Sequence, residues 1–344
     1  YFESTENYSG NATITITTID GAGGSDSEPI PITVTAVNDP PVITVPAAQT
    51  VDEDVTLVFN MAHSNLISIT DIESNGQSIT LTVTNGTFTL STLSGLSGSG
   101  NGTSILNYAG SLSAINTALN NAYFLGSNNY NGNATISLTT NYANGGQDSK
   151  SISIVITPVN DAPVLAGMEL TPLPYIEGSP AVQITNSITV SDPDDTNLSM
   201  ATVAIITGYQ NGQDVLSCSP VSGITILWDP SNGVLTLTGN VTVATFQSAL
   251  RNIRFVNTSA DPVTTTRKIT FLVNDGNVNS NLVERNITVG SVNNAPVLSS
   301  LETNPLSYTE NDAAKDITDN ISLTDPDDAT MVSATISIIG NFQT

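Results

Sequence analysis

The chain has 344 residues, and 7 Lys and Arg against 31 Asp and Glu leave a formal net charge of −24. That balance excludes a nucleic-acid partner, which needs a basic face to displace counterions, and it argues against anionic membrane surfaces. With 39% hydrophobic and only 11% charged residues, the composition of a disordered chain is excluded as well.

Thr (47) and Ser (38) make up about a quarter of the chain, and Val and Ile alternate with them, which reads as β-structure. In residues 1–41, Asn7-Tyr8-Ser9-Gly10-Asn11-Ala12-Thr13-Ile14 leads into the alternating run Ile14-Thr15-Ile16-Thr17, and Val37-Asn38-Asp39-Pro40-Pro41 closes the segment. The period of two predicts a half-buried strand. Residues 42–163 carry the acidic groups Asp52-Glu53-Asp54 and Asp71-Ile72-Glu73, then a strand pattern at Ile79-Thr80-Leu81-Thr82-Val83. Asn85-Gly86 and Asn101-Gly102 supply residues that tolerate the positive φ of tight hairpins. Leu112, Ile115 and Leu119 lie at i, i+3 and i+7 and predict two helical turns packed on the core. Asn129 through Ile136 repeats Asn7 through Ile14 after 122 residues, and Val159-Asn160-Asp161-Ala162-Pro163 repeats the earlier closing motif at the same offset.

Residues 164–296 follow the same plan. Glu177-Gly178 is followed by Asp192-Pro193-Asp194-Asp195. Val234-Leu235-Thr236-Leu237 alternates between turns at Asn211-Gly212, Asn232-Gly233 and Asp275-Gly276, and Val243, Phe246 and Leu250 repeat the helical spacing. Val292-Asn293-Asn294-Ala295-Pro296 comes 133 residues after Val159. Glu310 through Asp325-Pro326-Asp327-Asp328 repeats Glu177 through Asp195 at that offset. Tandem repeats are therefore expected: 1–41 ends one, 42–163 and 164–296 are complete, and 297–344 begins another. Seven or so strands in each predict an all-β, Greek-key sandwich of immunoglobulin-like type, with the sandwiches end to end. Proline in each linker predicts a stiff, extended connection. From Tyr1 and the interrupted repeat at Gln343-Thr344, the chain is expected to be a piece of something longer.

Chemistry is narrowed by scarcity. Cys218 and His63 are the sole Cys and His. They exclude an internal disulfide and a Cys/His zinc site, and any Ser–His–Asp triad would have to use His63. No P-loop, nucleophile elbow or dinucleotide loop is present, and no apolar run approaches the ~20 residues that span a bilayer. More than half the acids fall in the recurring motifs. Like charges ~4 Å apart repel by roughly 4 kcal/mol at an effective dielectric near 20, so Asp192, Asp194 and Asp195, and likewise Asp325, Asp327 and Asp328, call for a cation or for solvent between them. Oxygen ligands without nitrogen or sulfur suit Ca²⁺. Asp71 and Glu73 are a weaker version. The linker residues Asn38, Asp39, Asn160, Asp161 and Asn293 supply carboxamide and carbonyl oxygens. In a sandwich the loop after the second strand and the last hairpin lie at the end the chain comes in from, so Asp192, Asp194 and Asp195 are expected to converge with Asn160, Asp161 and Asp275. Paired carboxylates also serve glycosidases, but these recur with the repeat, and Trp228 is the sole Trp to shape a sugar cleft. No catalytic residues are assigned.

Glu177-Gly178 followed by Asp192-Pro193-Asp194-Asp195, with the Val-Asn-Asp-Ala-Pro linker, resembles the Glu…Asp-x-Asp and linker pattern of cadherin repeats. Asn211 through Leu216, Gly233 through Gly239, Ala249-Leu250-Arg251 and Asn274-Asp275-Gly276 are similar to the cadherin-like tandem repeats of giant bacterial surface adhesins, gliding-motility types included. The resemblance covers essentially the whole chain. It implies calcium-stiffened sandwiches in an extracellular or cell-surface stalk that mediates adhesion, with Glu53, Glu177 and Glu310 joining the ligand set. The partners it implies are neighbouring repeats, and surface glycans or other cells reached through a distal region. The pattern is broken by the lack of a Leu-Asp-Arg-Glu-like acid pair, by Asn294 in place of Asp, and by Tyr142 at the position matching Asp20. Whether Glu177 serves the linker before or after its own repeat stays open. A carbohydrate-binding array of a secreted polysaccharide-degrading enzyme is the alternative, and so is a spacer without calcium.

Overall fold

Alternation of Thr with Val, Ile or Leu gives the sandwich strands one apolar face, which fixes their register. The computed structural model describes residues 1–72, 76–141 and 146–340, and the chain divides into two compact units, Tyr1–Val159 and Asn160–Thr344. In the first unit, Gly10–Ile19 and Ser25–Val34 form an antiparallel hairpin. A sandwich follows. Its larger sheet has six strands in the order Gln49–Asp52, Gln147–Thr157, Gly132–Asn141, Gln77–Val83, Ile105–Gly110, Leu96–Ser99. Its smaller sheet has the order Thr56–Phe59, Ala122–Gly126, Gly86–Thr89, and Val42–Thr44 pairs with Ser68–Thr70. Inward residues of the strands, among them Leu81, Phe88, Phe124 and Ile136, are fully buried, each contributing roughly 1.5–3 kcal/mol of transfer free energy.

The second unit repeats the plan. Its larger sheet runs Leu173–Ile176, Val283–Gly290, Arg267–Asn274, Asn197–Thr207, Val234–Thr242, Thr225–Asp229. The smaller runs Val182–Gln183, Ile253–Asn257, Asp214–Cys218, and Val164–Ala166 pairs with Thr189–Ser191. Val297–Ser299 then pairs with Ser322–Thr324. Each sandwich thus has more strands than the seven or so expected. Strands of two to four residues are too short to display an alternation, so the sequence does not announce them.

The two helices form where the spacing places them. In α1, Leu112–Leu119, the buried residues are Ile115, Ala118 and Leu119, and the Ser111 hydroxyl accepts from the Ala114 amide at 3.2 Å. In α2, Val243–Arg251, Phe246, Ala249 and Leu250 are buried, and Thr242 caps the helix through the Thr245 amide at 3.2 Å. These caps satisfy donors that the first turn leaves open. Both faces pack inward, as the sequence predicts. Among the described residues no helix is long and apolar enough to cross a membrane.

Two pairing choices position everything that follows. The short first strand of each sandwich is split. Its leading part pairs antiparallel with the strand before the acidic loop, Val164 opposite Ser191 and Val42 opposite Thr70. Its trailing part pairs parallel with the last strand, Ile176 beside Gly290 and Asp52 beside Thr157.

Candidate metal centre

Antiparallel pairing of Val164–Ala166 with Thr189–Ser191 forces the residues just before 164 next to those just after 191. Asn160 and Asp161 therefore meet Asp192 through Asp195. The Asp161 amide donates to Asp194 Oδ2 at 2.6 Å. Asp192 Oδ1 accepts from the Asp194 and Asp195 amides at 3.0 and 2.8 Å, an Asx turn that folds the run back on itself. The hairpin after Arg267–Asn274 brings in Asp275. Asp275 Oδ2 accepts from the Asn160 carboxamide at 2.9 Å, and Oδ1 accepts from the Asn277 and Val278 amides at 2.6 and 2.7 Å. Gly276 holds φ at +121°, a conformation open to glycine. The strand and the hairpin are tied together by Asn281, whose side chain accepts from the Leu165 amide and donates to its carbonyl, at 2.8 and 2.9 Å.

One oxygen each of Asp192, Asp195 and Asp275 lies within 4.8 Å of the other two. The electrostatics split accordingly. Burial, then the charges of Asp192, Asp275 and Asp194, push the Asp195 carboxyl above its usual range. For Asp275, burial works upward, but the Asn160 side chain and the Val278 and Asn277 amides outweigh it and hold the carboxyl low. Asp192 Oδ2 and Asp194 Oδ1 are buried, and neither meets a hydrogen-bond donor. Buried carboxylate oxygens without donors are costly, and a hard cation coordinated by oxygens is what such a set accommodates. The converging carboxylates of Asp192, Asp195 and Asp275 could hold a divalent cation, while Asn160 gives its carboxamide nitrogen to Asp275 and its oxygen to Asn277.

Of the other sequence candidates, the run Asp325 through Asp328 repeats the turn of Asp192 through Asp195. Asp325 Oδ1 accepts from the Asp327 and Asp328 amides, both at 3.0 Å, and Asp327 Oδ2 accepts from the Asn294 amide, the same turn after the strand Ser322–Thr324. Asn293 donates to the Asn294 carbonyl at 3.0 Å, as Asn160 does to Asp161 at 2.9 Å and Asn38 to Asp39 at 3.0 Å. Asp71 follows Ser68–Thr70 and accepts from Gln77 Nε2 at 2.6 Å. Asp39 is half-buried in the linker and Glu310 is exposed. Glu73 and Tyr142 lie outside the described residues.

Parallel pairing answers the question left open for Glu177. Because Leu173–Ile176 runs beside Val283–Gly290 in the same direction, Glu177 comes out next to the outgoing chain. Its backbone amide donates to the Gly290 carbonyl at 2.9 Å. Its Oε2 accepts from the Val292 amide at 3.0 Å and its Oε1 from Asn294 Nδ2 at 2.7 Å. Glu53 does the same in the first unit: its amide donates to Thr157, and its Oε1 accepts from the Val159 amide at 2.7 Å. Glu53 is 3% exposed, and its Oε2 is buried without a donor. Sequence reasoning missed Asn277, whose Nδ2 donates to Asn160 Oδ1 at 2.8 Å, and Gln77. Asn277 is signalled by its place in the turn after Asp275, whereas the gap from Asp71 to Gln77 carries no pattern.

Trp228 lies edge-on to Tyr209, with ring centroids 6.3 Å apart and planes at 78°, a pair that presents no flat row of rings for a sugar. No family model and no curated protein matches the sequence. Among solved structures the chain is similar to the protocadherin GammaB4 extracellular domain, with 16% identity and a TM-score of 0.33 over 92% of this chain and 43% of that one. It is similar to protocadherin Gamma B2 extracellular cadherin domains 1–5, with 19% identity and a TM-score of 0.33 over 92% of this chain and 52% of that one. It is similar to human CDH23 EC21-23, with 13% identity and a TM-score of 0.31 over 83% of this chain and 81% of that one. The chain spans about half the length of the first two. The sandwich fold rests on the strand pairing described above.

Proposed function

We propose that the chain is a structural stalk segment of a large secreted or cell-surface adhesin, and that Ca²⁺ stiffens the segments between its sandwiches. The proposed repeats are 1–41, 42–163, 164–296 and 297–344, cadherin-like in plan, and the role is mechanical rather than catalytic. The observation that carries the reading is the pair of buried, donorless carboxylate oxygens on Asp192 and Asp194, set in a turn that recurs at Asp325 through Asp328. Asp192, Asp194, Asp195 and Asp275 would hold the ion, with oxygens of Asn160 and Asp161 beside them. Bound calcium supplies positive charge and multiple oxygen coordination there. The protein's own part is to fold the acidic run back through Asp192 Oδ1 and to fasten the incoming segment through Asp194. Extracellular modules bind calcium at roughly 10⁻⁴ to 10⁻³ M, a range filled outside cells. Adhesion to glycans or other cells belongs to a distal region in this reading, and a bacterial surface, of the gliding-motility type or another, is the proposed setting. Calcium titration by calorimetry tests the reading. Heat of binding that is reduced in Asp194→Asn is the expected result, and no heat with the wild type would overturn it.

A further inference from the structure

The segment 292–296 departs from its earlier copy at one residue, Asn294, which stands where 159–163 has Asp161. The substitution changes more than charge. A carboxylate has no hydrogen to give, whereas a carboxamide has two. Asn294 uses both: Nδ2 donates to Glu177 Oε1 at 2.7 Å and to the Ala260 carbonyl at 3.0 Å. Glu177 Oε2 is already taken by the Val292 amide at 3.0 Å. Both oxygens of Glu177 thus have donors, one of them from a neutral side chain in the segment itself. Glu53, at the matching place in the first sandwich, accepts from Val159 with one oxygen and keeps the other buried and donorless. Turning the Asn294 amide over, to offer its oxygen to a metal, would set that oxygen against Glu177 Oε1 and the Ala260 carbonyl and would forfeit two hydrogen bonds.

We propose that an amide does at 292–296 what a cation would otherwise do: Asn294 satisfies Glu177 directly, Glu177 takes no part in calcium binding, and this segment keeps its anchoring to the second sandwich when calcium is withdrawn. The inference rests on the calcium reading above and removes Glu177 from the ligands that the sequence resemblance implies. It makes the chain's connections unequal. A segment carrying Asp at this position has no side-chain donor there for the second oxygen of its Glu, and one carrying Asn is fastened at any calcium concentration.

Two measurements on the whole chain decide it. Calorimetric titration should give Glu177→Gln the same number of calcium ions per chain as the wild type; one ion fewer would make Glu177 a ligand and overturn the proposal. Hydrogen exchange at the Val292 amide should be slow in the wild type both with calcium and with EDTA. In Asn294→Asp it should speed up in EDTA by about ten- to a hundredfold, the effect of losing hydrogen bonds to a charged group, and slow again when calcium is added. A wild-type Val292 amide that loses its protection in EDTA would overturn the proposal. If the wild type binds no calcium at all, the reading of Asp192 through Asp195 falls, and the Val292 exchange in EDTA, compared between wild type and Asn294→Asp, still decides this one.

Discussion

Asp192→Asn should separate the cost of gathering the acids from the gain of binding an ion. One oxygen each of Asp192, Asp195 and Asp275 lies within 4.8 Å of the others. Two unit charges at that distance repel by about 3.5 kcal/mol at an effective dielectric near 20 and by about 0.9 kcal/mol in bulk water. All three residues are half-buried, so without a counter-ion the three pairs cost between about 3 and 10 kcal/mol. Asparagine at 192 removes two of the three pairs, and its side-chain oxygen still accepts from the Asp194 and Asp195 amides. In EDTA the variant should therefore melt higher than the wild type. Calcium narrows that difference by stabilising the wild type alone. An ion bound to the folded state with a Kd of roughly 10⁻⁴ to 10⁻³ M stabilises by about 0.6–1.8 kcal/mol at 2 mM. For a domain of this size that raises Tm by about 2–9 °C. Differential scanning calorimetry with and without EDTA should show this rise for the wild type and not for Asp192→Asn. Wild-type transitions that superimpose in the two conditions, or a variant that keeps the full calcium shift, would refute the reasoning.

The remaining expectations concern the second sandwich. Arg267, fully buried, bonds Asp214 at 3.0 Å, and Asn257 Nδ2 donates to Asp214 at 2.7 Å; Asp214→Ala leaves a buried charge unpaired and should cost about 3–5 kcal/mol in urea unfolding. Phe246→Ala should cost about 3–5 kcal/mol by the cavity it opens under α2, and Thr242→Ala only about 1 kcal/mol through the lost cap, an order that urea titration of both variants checks. Glu169 is held at about 2: burial pushes it up, but the Thr185 hydroxyl, the Asn186 amide and Arg285 outweigh that. A carboxyl lowered in the folded state stabilises above its unfolded pKa and loses that contribution as pH falls through the folded one. Between pH 5 and 2 the wild type should therefore lose stability faster than Glu169→Gln, and parallel curves of Tm against pH would count against the assignment.

What the sequence discloses follows the length of each signal. Ile79 through Val83 and Val234 through Leu237 alternate long enough to read as strands, and Leu112, Ile115 and Leu119 are spaced widely enough to read as a helix. Val182–Gln183 and Thr189–Ser191 are too short to carry a period, so the finer strands stay hidden. The convergence of Asp192, Asp194, Asp195, Asn160 and Asp275 is legible because repetition marks the acids and sandwich topology says which loops share an end. The partners of Glu177 are not legible, because they depend on a parallel pairing that no local pattern announces. Gln77 is invisible for a related reason: an amide six residues after an acid means nothing until a strand start turns it back.

The split first strand explains why one sandwich carries two acidic groupings so far apart in sequence. A strand that paired in one direction throughout would place only one of its ends beside a linker. Here the leading part lies antiparallel to Thr189–Ser191, so acids placed after that strand face the incoming segment. The trailing part lies parallel to Val283–Gly290, so an acid placed directly after it faces the outgoing one. The gap between Glu177 and Asp192 is thus the length of chain needed to leave one end of the sandwich and return at the other. It also follows that the two ends can change independently. Asn294 alters what Glu177 meets without touching Asp192 through Asp195, so a single linker residue changes one of the two acidic groupings while the other stays the same.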